Sequence, residues 1–134
     1  MKRKRVYMVS AIIFSGLVLV FLLDSHKINI SSVSRAEVTY VYGEKDISQE
    51  LTEEELQELK TIFNGKRFYR DNPSCGFSED IAIKLNDSIT FCIARDTCSY
   101  IYWQEGDRYI KLTEKEQQIL YDILKKYGAT FLCV

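Results

Sequence analysis

The stretch Ile81-Ala82-Ile83-Lys84-Leu85-Asn86-Asp87-Ser88-Ile89-Thr90-Phe91-Cys92-Ile93 decides the fold. Ile81, Ile83 and Leu85 alternate with Ala82 and Lys84, and Ile89, Phe91 and Ile93 alternate with Thr90 and Cys92. Alternation of this kind marks half-buried strands. Directly opposed residues share a sheet face, so the loop must bring the apolar sets together. A two-residue Asn86-Asp87 loop would set Ile83 against Thr90. A three-residue loop, Asn86-Asp87-Ser88, sets Leu85 against Ile89 and Ile83 against Phe91, with Asn86 or Asp87 supplying the unusual backbone angle.

Working outward, the chain repeats itself weakly. Leu51-Thr52-Glu53-Glu54-Glu55 matches Leu112-Thr113-Glu114-Lys115-Glu116. Each is a helix start with a Thr cap and a Glu three residues on, a capping box. Glu53, Glu54 and Glu114 suit the positive end of a helix dipole. The first helix carries Leu56, Leu59, Ile62 and Phe63 on one face and stops at Asn64-Gly65; the second carries Ile119, Leu120, Ile123, Leu124 and Tyr127 and stops at Gly128. Each has one apolar stripe, as a helix packed on a sheet requires. Thr39-Tyr40-Val41-Tyr42 precedes the first helix and Ser99-Tyr100-Ile101-Tyr102 the second. Each half therefore reads as strand, turn, strand, helix. A two-residue Glu105-Gly106 turn pairs Ile101 with Ile110 and Tyr102 with Tyr109 on opposite faces, and places Cys92 and Lys84 on the tyrosine face. The expected fold is α+β: an antiparallel sheet of about five or six strands with two helices on one face.

Lys2, Arg3, Lys4 and Arg5 precede residues 6–23, which carry no formal charge. Eighteen such residues are at the short end of what spans a bilayer core of about 30 Å. The run is longer than the apolar part of a secretory signal, about 7–15 residues. The expectation is an N-terminal membrane helix with the basic end cytoplasmic and residues 37–134 as an extracytoplasmic domain. If the segment is cleaved instead, the domain is secreted. Residues 24–36, with Ser25, Ser31, Ser32 and Ser34, read as a stalk. The chain as a whole has 18 Lys and Arg against 19 Asp and Glu. With four of those bases in the basic start, residues 24–134 keep 14 Lys and Arg against all 19 Asp and Glu, a formal net charge of -5, so the domain is acidic and nucleic acid is not an expected partner.

All four cysteines, Cys75, Cys92, Cys98 and Cys133, fall in the external part. An even count there favours two disulfides. Three connectivities are possible and the sequence does not choose among them; Cys75–Cys92 with Cys98–Cys133 is the pairing carried forward. The spacing matches neither a redox motif nor paired zinc knuckles, so neither metal nor cofactor is expected.

The single histidine, His26, sits next to the apolar run. A serine or cysteine nucleophile would lack its base, no Gly-rich phosphate loop is present, and no calcium loop is present. Catalysis is not expected. Aromatic residues make up 13% of the chain, and Tyr100, Tyr102, Trp103 and Tyr109 gather in one strand region. Tyrosine on an open sheet face is a frequent contact residue. The loop 71–80, with the only proline and Cys75, is the longest irregular stretch. The expected function is a non-catalytic, membrane-anchored binding module for a protein or peptide of the cell envelope, acting through the tyrosine-rich face or this loop. An accessory subunit held in a membrane complex by its anchor is the alternative, and a small hydrolase is a remoter one.

Overall fold

The computed structural model describes residues 7, 10–19, 26–70, 73–77, 80–96 and 98–131. Strands β1 (Ala36–Tyr42) and β2 (Lys45–Glu50) lead into helix α1 (Glu53–Phe63). The two-residue β3 (Phe68–Tyr69), the hairpin β4 (Ile81–Leu85) and β5 (Ile89–Ile93), the hairpin β6 (Tyr100–Trp103) and β7 (Arg108–Lys111), and helix α2 (Glu114–Lys126) follow. The strands form one seven-stranded antiparallel sheet in the order β2-β1-β4-β5-β6-β7-β3.

The central hairpin has the register that its alternation demands. Leu85 opposes Ile89 and Ile83 opposes Phe91. Asn86 (φ 47°) and Asp87 (φ 55°) both take the left-handed conformation that Asn and Asp tolerate best. The Asn86 carboxamide then accepts from the Ser34 and Arg35 amides at 3.1 and 3.0 Å, which ties the turn to the start of β1. Ile101 opposes Ile110 and Tyr102 opposes Tyr109, as the Glu105-Gly106 turn requires.

Both helices cover one face. Leu59, Ile62 and Phe63 of α1 and Leu120, Ile123 and Leu124 of α2 join Val38, Ile83, Leu85, Phe91, Ile101 and Ile110 in one buried cluster. The Phe63 and Phe91 rings meet at 4.7 Å. Burying a side chain of this size contributes about 1.5–3 kcal/mol.

The helices run antiparallel and are tied end to end by their capping boxes. In α1 the Thr52 hydroxyl accepts from the Glu55 amide, while the Glu55 carboxylate accepts from the Thr52 amide at 2.9 Å. The same carboxylate takes Lys126 and the Tyr127 hydroxyl from the end of α2. In α2 Glu116 closes the box with Thr113 and takes Lys66, just past the end of α1. Each cap carboxylate thus also holds the far end of the other helix.

Three expectations need correction. The sheet has seven strands, not five or six, because Phe68–Tyr69 pairs with β7. Residues 24–36 are not a stalk from His26 onward: Ile28, Ile30 and Val33 are 5%, 1% and 4% exposed. The Ile28 amide donates to Lys66 and the Gly65 amide to Ile28, so apolar side chains and a short ladder draw the segment into the core. The matched tyrosines of the two halves are not equivalent either. Tyr40 packs against the helix-side core, whereas its match Tyr100 lies on the other face, because its neighbour Ile101 points inward. Residues 10–19 are helical, and among the described residues no helix is long and apolar enough to cross a membrane. Residues 6, 8, 9 and 20–23 of the expected anchor lie outside the described residues.

Glu55 gives the first test. Burial alone would raise its pKa, but hydrogen bonds from Lys126, Tyr127 and Thr52 outweigh burial and lower it to about 2. A folded-state value below the unfolded one stabilises above the unfolded pKa, and the contribution is lost as pH falls through the folded value. Glu55→Gln should therefore cost about 2 kcal/mol near pH 7. In urea denaturation the gap between wild type and variant should begin to close below about pH 5 and be mostly gone near pH 2.5.

Candidate functional site

The face turned away from the helices falls into an aromatic half and a polar half. In β6 and β7 the inward residues are Ile101 and Ile110, so Tyr100, Tyr102, Tyr109 and Lys111 face outward by alternation. Tyr69 extends this half at the β3 edge, opposite Tyr109, and is 42% exposed. The Tyr102 and Tyr109 rings lie 5.2 Å apart, and the Lys111 ammonium lies 5.7 Å from the Tyr100 ring. The Tyr102 hydroxyl donates to Asp107 at 3.2 Å. Partial burial and this carboxylate together push its phenol above the usual value.

A strap lies on the tyrosines. Phe77 packs at 6.0 Å from Tyr102 and 5.5 Å from Tyr109. Two residues before it, Cys75 is joined to Cys98. The Cys98 carbonyl accepts from the Gln117 side chain of α2 at 3.1 Å, so the strap is anchored to the helix layer. The expected pairings Cys75–Cys92 and Cys98–Cys133 are thereby corrected. Cys92 cannot reach Cys75 because it sits in β5 between Ala82 and Tyr102, 2% exposed, with its thiol 3.7 Å from Gln104. Cys133 lies outside the described residues, as do residues 71, 72, 78 and 79 of the 71–80 loop. Asp96 stands near the two joined sulfurs, but sulfurs linked to each other are not thiolate ligands, and Asp96 accepts from the Cys98 amide at 3.3 Å.

Trp103 does not join the outward tyrosines. Alternation turns it to the helix side, where it stacks on Phe68 at 4.7 Å against the core. The sequence put four aromatic residues in one region; strand parity separates this one from Tyr100, Tyr102 and Tyr109.

The polar half was not anticipated. Glu37, Thr39 and Val41 of β1, Asp46 and Ser48 of β2, Asp80, Lys84 and Thr90 line a groove of about 320 Å³. Ser48 donates to Glu37 across it. The available signal was the alternation of Asp46, Ser48 and Glu50 around Ile47, the mark of a strand with one polar face. Phe77 had a signal as well, a lone large apolar residue two positions after a cysteine in a polar loop.

Comparison with known proteins finds no matching family model, no matching curated protein and no matching solved structure.

Gly106 supports the indole. A Cβ at this position would stand 2.1 Å from two atoms of the Trp103 ring. Gly106→Ala should cost about 1–3 kcal/mol through overpacking. Fluorescence of Trp103, the single tryptophan, should shift in the folded protein and report an earlier urea transition.

Proposed function

We propose that the chain is a non-catalytic, membrane-anchored binding module whose domain lies outside the cytoplasm and recognises a protein or peptide of the cell envelope. The observation that carries this reading is the strap. A disulfide fixes Phe77 over an outward tyrosine pair, so an aromatic surface is held in one arrangement before any partner arrives. Preorganisation of this kind lowers the ordering cost of binding. Tyrosine bodies with polar tips suit a surface that must be wet when empty and packed when occupied. A disulfide also suits an oxidising compartment.

The anchor part of the reading rests on the apolar run at residues 6–23 behind a basic cluster. Within it, Ile12, Ile13, Phe14, Leu17 and Leu19 are all more than half exposed. Side chains of this kind, together on one short helical stretch, are more stable in lipid than in water. The non-catalytic part rests on the chemistry of the outer face, whose exposed polar side chains are phenols, hydroxyls, carboxylates and ammonium groups, the Cys92 thiol on that face being buried. His26, the only histidine, is bound into the β3 edge, where its carbonyl accepts from the Phe68 amide at 3.0 Å.

A photo-reactive phenylalanine analogue placed at Tyr100 or Tyr109 in the full-length chain, and irradiated in its own membranes, tests the proposal. Both positions should give the same discrete adduct, and Lys115 on the exposed side of α2 should give none. Adducts from Lys115 alone, or from no position, would remove the outer face as the binding surface.

A further inference from the structure

The two edges of the sheet are finished differently. At the β3 edge residues 26–28 close the ladder: the Phe68 amide donates to His26 at 3.0 Å, the Ile28 amide to Lys66 at 2.8 Å, and Lys27 bridges Arg67. At the other edge, among the described residues, β2 has only β1 as neighbour. Five of its six residues are exposed.

The register shows which backbone groups face out. The Leu51 amide donates to Ala36 at 2.9 Å. Hydrogen-bonded and non-hydrogen-bonded pairs alternate along an antiparallel ladder. Pairs 38–49, 40–47 and 42–45 are therefore bonded within the hairpin. The amides and carbonyls of Asp46, Ser48 and Glu50 point away from β1. On the opposite side of β1, the Val41 amide donates to Asp80 at 2.9 Å, which fixes the same parity independently.

Two of the three side chains at these positions are carboxylates. Asp46 and Glu50 flank Ser48 on the outer face, with Glu37 behind them on β1. Arg35 approaches Glu50 at 3.4 Å, and both are exposed. A second copy of the chain would bring the same carboxylates to this edge. Like charges set opposite one another on paired strands are destabilising and opposite charges favourable.

We propose that β2 is a docking edge for an extended basic peptide, which adds antiparallel as an eighth strand. Its cations, four residues apart, oppose Asp46 and Glu50, and an apolar residue between them opposes Ile47 on the helix side. Backbone bonds to Asp46, Ser48 and Glu50 give the affinity and the alternating side chains give the selectivity. The proposal rests on the binding-module reading and adds to it a second recognition surface, at the far end of the sheet from the tyrosines.

The probe is the acetylated hexapeptide Arg-Thr-Thr-Ile-Lys-Thr, added to the full-length chain in detergent micelles while amide hydrogen exchange is followed by NMR. Exchange at Asp46, Ser48 and Glu50 should slow about tenfold or more at saturation. Ile47 and Gln49, already bonded to β1, should change little. The same peptide N-methylated at its central Thr and Lys should give no protection, nor should one with Glu in place of Arg and Lys. Equal protection by the acidic peptide would overturn the charge assignment. Shifts at Tyr102 and Tyr109 without slowed exchange at β2 would overturn strand addition while leaving the binding module standing. Concentration-dependent protection without peptide would hand the edge to a second copy and overturn the proposal. Absence of saturable binding would overturn it too, and adducts at Tyr100 and Tyr109 would show whether the binding module falls with it.

Discussion

The register of the β4–β5 hairpin constrains everything else. It lies at the centre of the sheet, and a slip of one residue would turn Ile83 and Phe91 outward and Lys84 and Thr90 into the core. Two left-handed residues, Asn86 and Asp87, prevent that slip by fixing a three-residue loop. The Asn86 side chain also sets where β1 begins, through the Ser34 and Arg35 amides. One turn thus sets the register of the central hairpin and positions the start of the strand beside it.

Outward from that hairpin the molecule is built twice. β1–β2–α1 flanks β4 and β6–β7–α2 flanks β5. Antiparallel strands on the two sides have opposite directions, so the units are related as if by a half-turn about an axis through the sheet. The helices then lie antiparallel, and each capping-box glutamate meets a lysine from the other unit, Glu55 with Lys126 and Glu116 with Lys66. Hydrogen bonds to these partners hold Glu116, like Glu55, below the ordinary carboxylate range against the opposing effect of burial. A local device for starting a helix has become a tertiary contact at both ends of the helix layer.

The parts legible in the sequence were those governed by short-range chemistry. Alternation gave the four strands β4–β7, and Thr-x-x-Glu gave both helix starts to the residue. What escaped was set by distant partners. Cys98 pairs with Cys75 because the strap crosses the tyrosine face, a path that cysteine spacing does not encode. Ile28 and Ile30 looked like part of a serine-rich connector, yet the end of α1 supplies their ladder and the core their burial. Trp103 clustered with tyrosines along the chain, and strand parity separated it from them in space. The aromatic half of the candidate site was therefore readable as composition, whereas its strap and the groove beside it needed the fold.

The lost stalk changes what the proposed anchor can do. Three residues separate the end of the apolar run at position 23 from Lys27, where the sheet edge begins. Even fully extended, that gap spans roughly 14 Å. If the run anchors the chain as proposed, a domain on so short a tether would be unable to search the envelope for a distant target. On the proposed reading, its partner must either reach the membrane surface or reside in it. A rigid, prearranged surface suits this situation, because confinement near a membrane already supplies a high local concentration and leaves orientation as the remaining cost. If the proposed binding holds, the strap on the tyrosines and the backbone edge of β2 would both lower that cost, one by locking side chains and the other by presenting hydrogen-bonding groups at a set spacing.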